Sequence, residues 1–176
     1  MLKKLVFVVV AVFFCSAFLV PERIAKKANK EIGKFYEVEN FSKENYSFSE
    51  EANTFTPSEF GKENLFKIHS EGKFLGYGYI GNAPSKTATF DYLVLFDKDL
   101  IILKSKVLLY REEYGGEIGS RRWLKQFIGV SSSSTELIYN EDIIPISGAT
   151  ISVQSMTKAM NDLLKSINFL QKSKLL

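Results

Sequence analysis

Thr89-Phe90-Asp91-Tyr92-Leu93-Val94-Leu95-Phe96-Asp97-Lys98-Asp99-Leu100-Ile101-Ile102-Leu103 is the stretch on which the fold turns. β-Branched and aromatic residues dominate both ends of it, and Asp97-Lys98-Asp99 is a polar turn between them. The spacing predicts a hairpin, Thr89–Phe96 running into Leu100–Tyr110. The runs Tyr92–Phe96 and Leu100–Leu103 are apolar enough to lie at the centre of a sheet, covered on both faces.

Working outward, Leu65–His69 reads as a short strand, and Glu71-Gly72-Lys73 as a turn into a strand over Phe74–Ile80. Gly81–Ser85 reads as loop. Glu39–Lys62 is polar with scattered aromatics and reads as loops with a short helix or strand. Upstream, Ile24, Ala28, Ile32 and Phe35 recur at helical spacing among lysines, which predicts an amphipathic helix over Glu22–Tyr36. Downstream, Glu112–Gly119 is a glycine-rich loop, Arg121–Phe127 a short helix with Trp123 and Phe127 on one face, and Ser131–Ser134 a polar loop. Leu137–Tyr139 and Ile143–Ile146 are short extended pieces. A helix follows from about Ser152 to Leu170, its core stripe formed by Val153, Met156, Met160, Leu163, Leu164, Ile167 and Leu170. The class is α+β: an antiparallel or mixed sheet flanked by helices, with an N-terminal membrane segment.

That segment is the apolar run Leu5–Val20, broken only by Ser16, behind Lys3 and Lys4. Lysines before such a run give the layout of an export signal and place the remainder on the far side of the cytoplasmic membrane. At 1.5 Å per residue the run reaches about 24 Å, between a cleaved signal and a membrane anchor. Small residues at Cys15-Ser16-Ala17 favour cleavage; Phe18-Leu19-Val20 continue the run as an anchor would. The division is then 1–20 signal anchor or signal peptide, 21–62 amphipathic helix and polar connection, and 63–176 the main domain.

Composition excludes several chemistries. The chain has 176 residues, a net charge of +3, one Cys and one His. So mild a charge gives little attraction for nucleic acid. A single Cys forbids an internal disulfide and a Cys-built zinc site, and a lone His69 cannot build a His metal centre. Gly76-Tyr77-Gly78-Tyr79-Ile80-Gly81 spells the dinucleotide pattern G-x-G-x-x-G. That pattern works only where a strand opens into a helix; here the glycines alternate with tyrosines inside a strand, which marks a bulge or a close approach instead. His69 and Ser131–Ser134 have no partner nearby in sequence, and Arg121 and Arg122 read equally as a solvated face or as anion ligands. The chemistry is therefore borrowed from something bound.

Ser147-Gly148-Ala149-Thr150-Ile151-Ser152 precedes the last long helix. Small residues allow a tight turn and a close approach, and a helix N-terminus offers unpaired N–H groups and a positive dipole end to a phosphate. A plain helix cap with Ser152 as the capping residue fits the same letters. The segment resembles the S/T-G-A-T flavin-attachment motif of the FMN-binding domain family. That family includes small extracytoplasmic subunits of the sodium-translocating NADH:quinone reductase and of the related ferredoxin-oxidising complex. The likeness runs over roughly Phe66–Leu164 and includes Glu113–Gly119 followed by Trp123 and Phe127. The family commonly has an acid three positions before the serine, where this chain has Ile144; Asp142 is the nearest acid.

The resemblance implies FMN joined covalently to Thr150 by a phosphoester that a dedicated flavin transferase makes. It implies a cofactor site drawing on Ser147, Gly148, Ala149, Thr150 and Ser152, with Tyr114, Gly116, Gly119 and Trp123 against the ring, no catalytic residue and no metal. The expected function is electron transfer outside the cytoplasmic membrane, to or from a membrane redox complex or an extracytoplasmic carrier. The alternatives are a non-covalent FMN reductase or oxidase and a flavin-free, membrane-tethered interaction domain.

Overall fold

The computed structural model describes residues 20–61 and 63–176. The expected membrane segment therefore lies almost wholly outside the described residues, and among those residues no helix is long and apolar enough to cross a membrane.

Five strands form one antiparallel meander in the order β1-β2-β3-β4-β5: Ser42–Asn45, Leu65–Ser70, Lys73–Pro84, Thr89–Phe96 and Ile102–Leu109. The decisive hairpin is β4–β5, with Tyr92 opposite Val107 and Phe96 opposite Ile102. Alternation along β4 sends Phe90, Tyr92, Val94 and Phe96 to one hydrophobic cluster, and Leu93 and Leu95 to the other. Both faces are thus buried, so this strand carries almost no exposed position.

A helix covers each face. Helix α1 (Glu22–Tyr36) buries Ile24, Ala28 and Ile32, at i, i+4 and i+8, against Phe66, Ile68, Ile80, Leu93 and Leu95. On the opposite face α4 (Thr150–Lys172) sets Val153, Met156, Met160, Leu163 and Ile167 against Tyr79, Tyr92 and Phe96. Truncating a fully buried residue of this stripe such as Met160 to Ala costs about 2–5 kcal/mol. The shorter helices α2 (Glu50–Thr54) and α3 (Arg121–Leu124) lie in the connections, with 3₁₀ turns at Gly116–Gly119 and Lys125–Phe127.

Three sequence expectations shift. Strand β3 continues through Gly81–Pro84, read above as loop, because these residues pair with Thr89–Tyr92; Pro84 sits at the strand end, where its missing N–H does no harm. Glu39–Lys62 contains both β1 and α2, the latter capped by the Ser49 hydroxyl accepting from the Ala52 N–H. Helix α4 begins at Thr150, two residues before Ser152, so Ala149 is the N-cap position.

Candidate functional site

The N-terminus of α4 is where the motif becomes geometry. The chain approaches it through a segment held from two sides. The Asn161 amide of α4 donates to the Leu137 carbonyl and accepts from the Leu137 N–H, both at 2.9 Å. Trp123 Nε1 donates to the Ile144 carbonyl at 2.8 Å, and the Ile144 N–H donates to Gln126 Oε1 at 2.7 Å. Position 144 is therefore held by its backbone, and its side chain is exposed. An acid there is not needed to form the turn. The chain then turns at Ile146–Ala149, where the Ala149 N–H meets the Ile146 carbonyl at 3.1 Å. Gly148 supplies the positive φ of 76° that the turn needs.

Ala149 has no side chain able to cap the helix, and among the described residues no other side chain hydrogen-bonds the N–H groups of its first turn. The N–H groups of Thr150, Ile151 and Ser152 are left by helix geometry without intrahelical partners, at the positive end of a 23-residue helix. Ser152, the capping residue in the plain-cap reading, is instead a buried third residue of the helix and points inward. Its Oγ lies 2.5 Å from Ser85 Oγ and 3.0 Å from the Tyr110 hydroxyl, which donates to the Tyr114 carbonyl at 3.0 Å. A phenol has one proton, so that donation fixes the rest: Ser85 donates to Ser152, and Ser152 donates to Tyr110. This chain of hydroxyls ties the end of β3, β5, the glycine loop and α4 together beneath the site.

These groups border an open groove of about 460 Å³, whose lining includes Gly148, Ala149, Thr150, Ile151 and Ser152. Ser85, Lys86, Tyr110, Glu112 and Tyr114 complete the lining. Thr150 is exposed at the groove, and Tyr114 is 77% exposed, its ring free to present a flat surface. The Glu112 carboxylate accepts from the Thr87 N–H and hydroxyl, both at 2.7 Å, and from the Ala88 N–H at 3.0 Å. Those bonds, the backbone N–H of Thr87 first, hold its carboxyl down at about 2. They also fasten the loop that carries Lys86.

Five of the residues expected from the sequence therefore line one groove: Gly148, Ala149, Thr150, Ser152 and Tyr114. The other four lie elsewhere. Trp123 is buried in the core, edge-on to Phe127, and acts on the motif through its bond to Ile144. Ser147 and Gly116 are exposed beside the groove, and Gly119 lines a different one. Gly115 is closely tied to the motif: a Cβ there would sit 2.5 Å from the Ala149 Cβ. Ser85, Lys86, Tyr110 and Glu112 escaped the sequence reading because strand pairing brings them in from far along the chain; no local motif marks them.

The donor set suits a phosphate monoester: free helix N–H groups, a lysine, a glycine leaving open space and an exposed hydroxyl. Comparison with known proteins gives the same class. Residues 87–165, from the loop of Lys86 through most of α4, match the family model described as FMN-binding domain. The chain is also similar to a solved structure, that of a subunit of the Na(+)-translocating NADH-quinone reductase from Parabacteroides distasonis. The TM-score is 0.56 at 16% identity, covering 85% of this chain and 92% of that one. At that identity the likeness concerns the fold. No curated protein matches the chain.

Proposed function

We propose that this chain is an electron-transfer flavoprotein whose FMN is joined to Thr150 Oγ1 through a phosphoester, working outside the cytoplasmic membrane beside a membrane redox partner. The observation that carries the reading is the exposed Thr150 hydroxyl at an uncapped helix N-terminus, inside the span of the FMN-binding domain match. Membrane attachment rests on Lys3, Lys4 and the run Leu5–Val20. The partners in this reading are a flavin transferase for maturation, and then a membrane complex or a carrier outside the membrane.

FMN, when bound, supplies one- and two-electron chemistry; this chain's residues bind and orient it. The N–H groups of Thr150, Ile151 and Ser152 would hold its phosphate, the helix dipole favouring the negative charge. Lys86 adds a cation to the lining of the same groove. Tyr114 offers an exposed ring for stacking, and the Tyr110 hydroxyl fixes the Tyr114 carbonyl, which anchors the backbone carrying that ring. The Ser85–Ser152–Tyr110 chain keeps the helix start, β5 and the glycine loop in register.

The test is co-expression of the full chain with a flavin transferase, followed by a denaturing gel viewed for flavin fluorescence. The band is expected to fluoresce in the wild type and in Thr150→Ser, and to be dark in Thr150→Ala. A dark wild-type band, or a fluorescent Thr150→Ala band, contradicts covalent attachment at this residue. Flavin released on denaturation identifies the non-covalent alternative.

A further inference from the structure

A second groove, of about 360 Å³, opens between the C-terminal end of α1, the outer strand β5 and α3. Five cations rim it (Lys34, Lys104, Lys106, Arg121 and Lys125) around a single acid, Glu31. That acid is already used: Lys104 Nζ lies 3.0 Å from Glu31 Oε2. Burial raises the Glu31 carboxyl, but the Lys104 hydrogen bond and the charges of Lys104, Lys106 and Lys34 outweigh it and hold it low. Lys34, Lys106, Arg121 and Lys125 form no ion pair among the described residues. Its lining also holds the apolar Phe35, Leu103, Leu124 and a half-exposed Ile128. Apolar side chains set among charged ones free of ion pairs are what a protein interface offers.

Its place relative to the flavin groove gives it meaning. The 3₁₀ turn Gly116–Gly119 starts beside Gly115, which abuts Ala149 of the motif, and ends at Gly119, which lines the basic groove. At about 2 Å of rise per residue, the turn separates the two grooves by on the order of 8 Å. Building on the flavin at Thr150, we infer that the basic groove docks an acidic one-electron carrier protein that exchanges electrons with that flavin. The groove is concave, so it receives a protruding acidic segment better than the plane of a membrane. Each oxidised carrier that docks takes one electron. Two such events return a two-electron-reduced flavin to its oxidised form, its ring N–H protons passing to water.

Two triple variants of equal net charge test this in the full chain. One reverses the groove (Lys106→Glu, Arg121→Glu, Lys125→Glu); the other reverses exposed lysines elsewhere (Lys73→Glu, Lys172→Glu, Lys174→Glu). Without flavin, the groove variant is expected to leave immobilised poly-L-glutamate at lower salt than its counterpart. With flavin loaded and reduced, its oxidation by plastocyanin, an acidic copper carrier, is expected to slow at least about tenfold at low salt, while its oxidation by dioxygen is unchanged. Flavin present with equal elution or equal rates overturns the inference alone. A wild-type chain that carries no flavin overturns the functional reading and this inference with it. Vesicles of phosphatidylglycerol that bind wild type but not the groove variant, with carrier rates intact, assign the groove to lipid and overturn it too.

Discussion

Two glycine motifs in this chain look alike as letters and differ in what surrounds them. In Gly76-Tyr77-Gly78-Tyr79-Ile80-Gly81 the protein's own atoms fill the room each missing Cβ leaves. A Cβ would meet the Phe96 carbonyl oxygen at 2.2 Å from Gly76, the Phe66 ring at 2.4 Å from Gly78 and the Tyr92 ring at 2.3 Å from Gly81. In Ser147-Gly148-Ala149-Thr150 a Cβ at Gly148 would meet nothing within 4 Å, and the residue opens onto the groove. The first set lets strands and rings approach; the second leaves space for a ligand. A glycine pattern becomes a binding site where the structure keeps the space empty beside free donors, and only the second segment does both.

The contrast can be broken by putting the Cβ atoms back. Gly76→Ala drives a methyl into a backbone carbonyl at a φ of 151°, and overpacking of that kind costs about 3 kcal/mol. Urea unfolding of the variant measures the loss; a midpoint equal to wild type would remove the first half of the comparison. Ser152→Ala leaves Ser85 and Tyr110 without their shared partner, for about 1–2 kcal/mol. The same variant is expected to load less flavin, because the helix start and the glycine loop lose their tie.

Gly148→Ala is the sharper counterpart to Gly76→Ala. With no atom to strike, it costs only the left-handed backbone penalty, about 1 kcal/mol, yet its methyl enters the groove and flavin loading falls. Loading and stability that fall together, as at Gly76, would erase the distinction. The smallest effect concerns Glu112. Its carboxyl is held at about 2 in the folded chain against an ordinary 4.5. A depressed folded value means the contribution is complete above about 4.5 and is lost as pH falls toward 2. The protection of the Thr87 and Ala88 amides, measured against their intrinsic exchange at each pH, should fall in that window, and Glu112→Gln should flatten the response.

Much of the fold was legible because local chemistry and tertiary burial agree. The run Tyr92–Phe96 reads as a central strand and is one, since both covering helices demand apolar residues. The stripe Ile24, Ala28, Ile32 announces α1 for the same reason. Pro84 misled because a proline reads as a break, although the end of a strand tolerates it. Ser152 misled in the opposite way: a serine near a helix start reads as a cap, whereas its partners Ser85 and Tyr110 come from strand pairing that no local pattern records. That Thr150 sits beside Gly148 and Ala149 at the start of the last helix was legible because the segment is contiguous. Lys86 and the basic groove were not, because each is assembled from segments far apart in the chain.

Whether the open helix start at Thr150 carries a flavin is decided by the intact mass of the full chain co-expressed with a flavin transferase. The expected mass is raised by one FMN less one water, with the added group on the peptide containing Thr150 and absent from Thr150→Ala. An unmodified mass in the wild type, or the same added mass in Thr150→Ala, would contradict it.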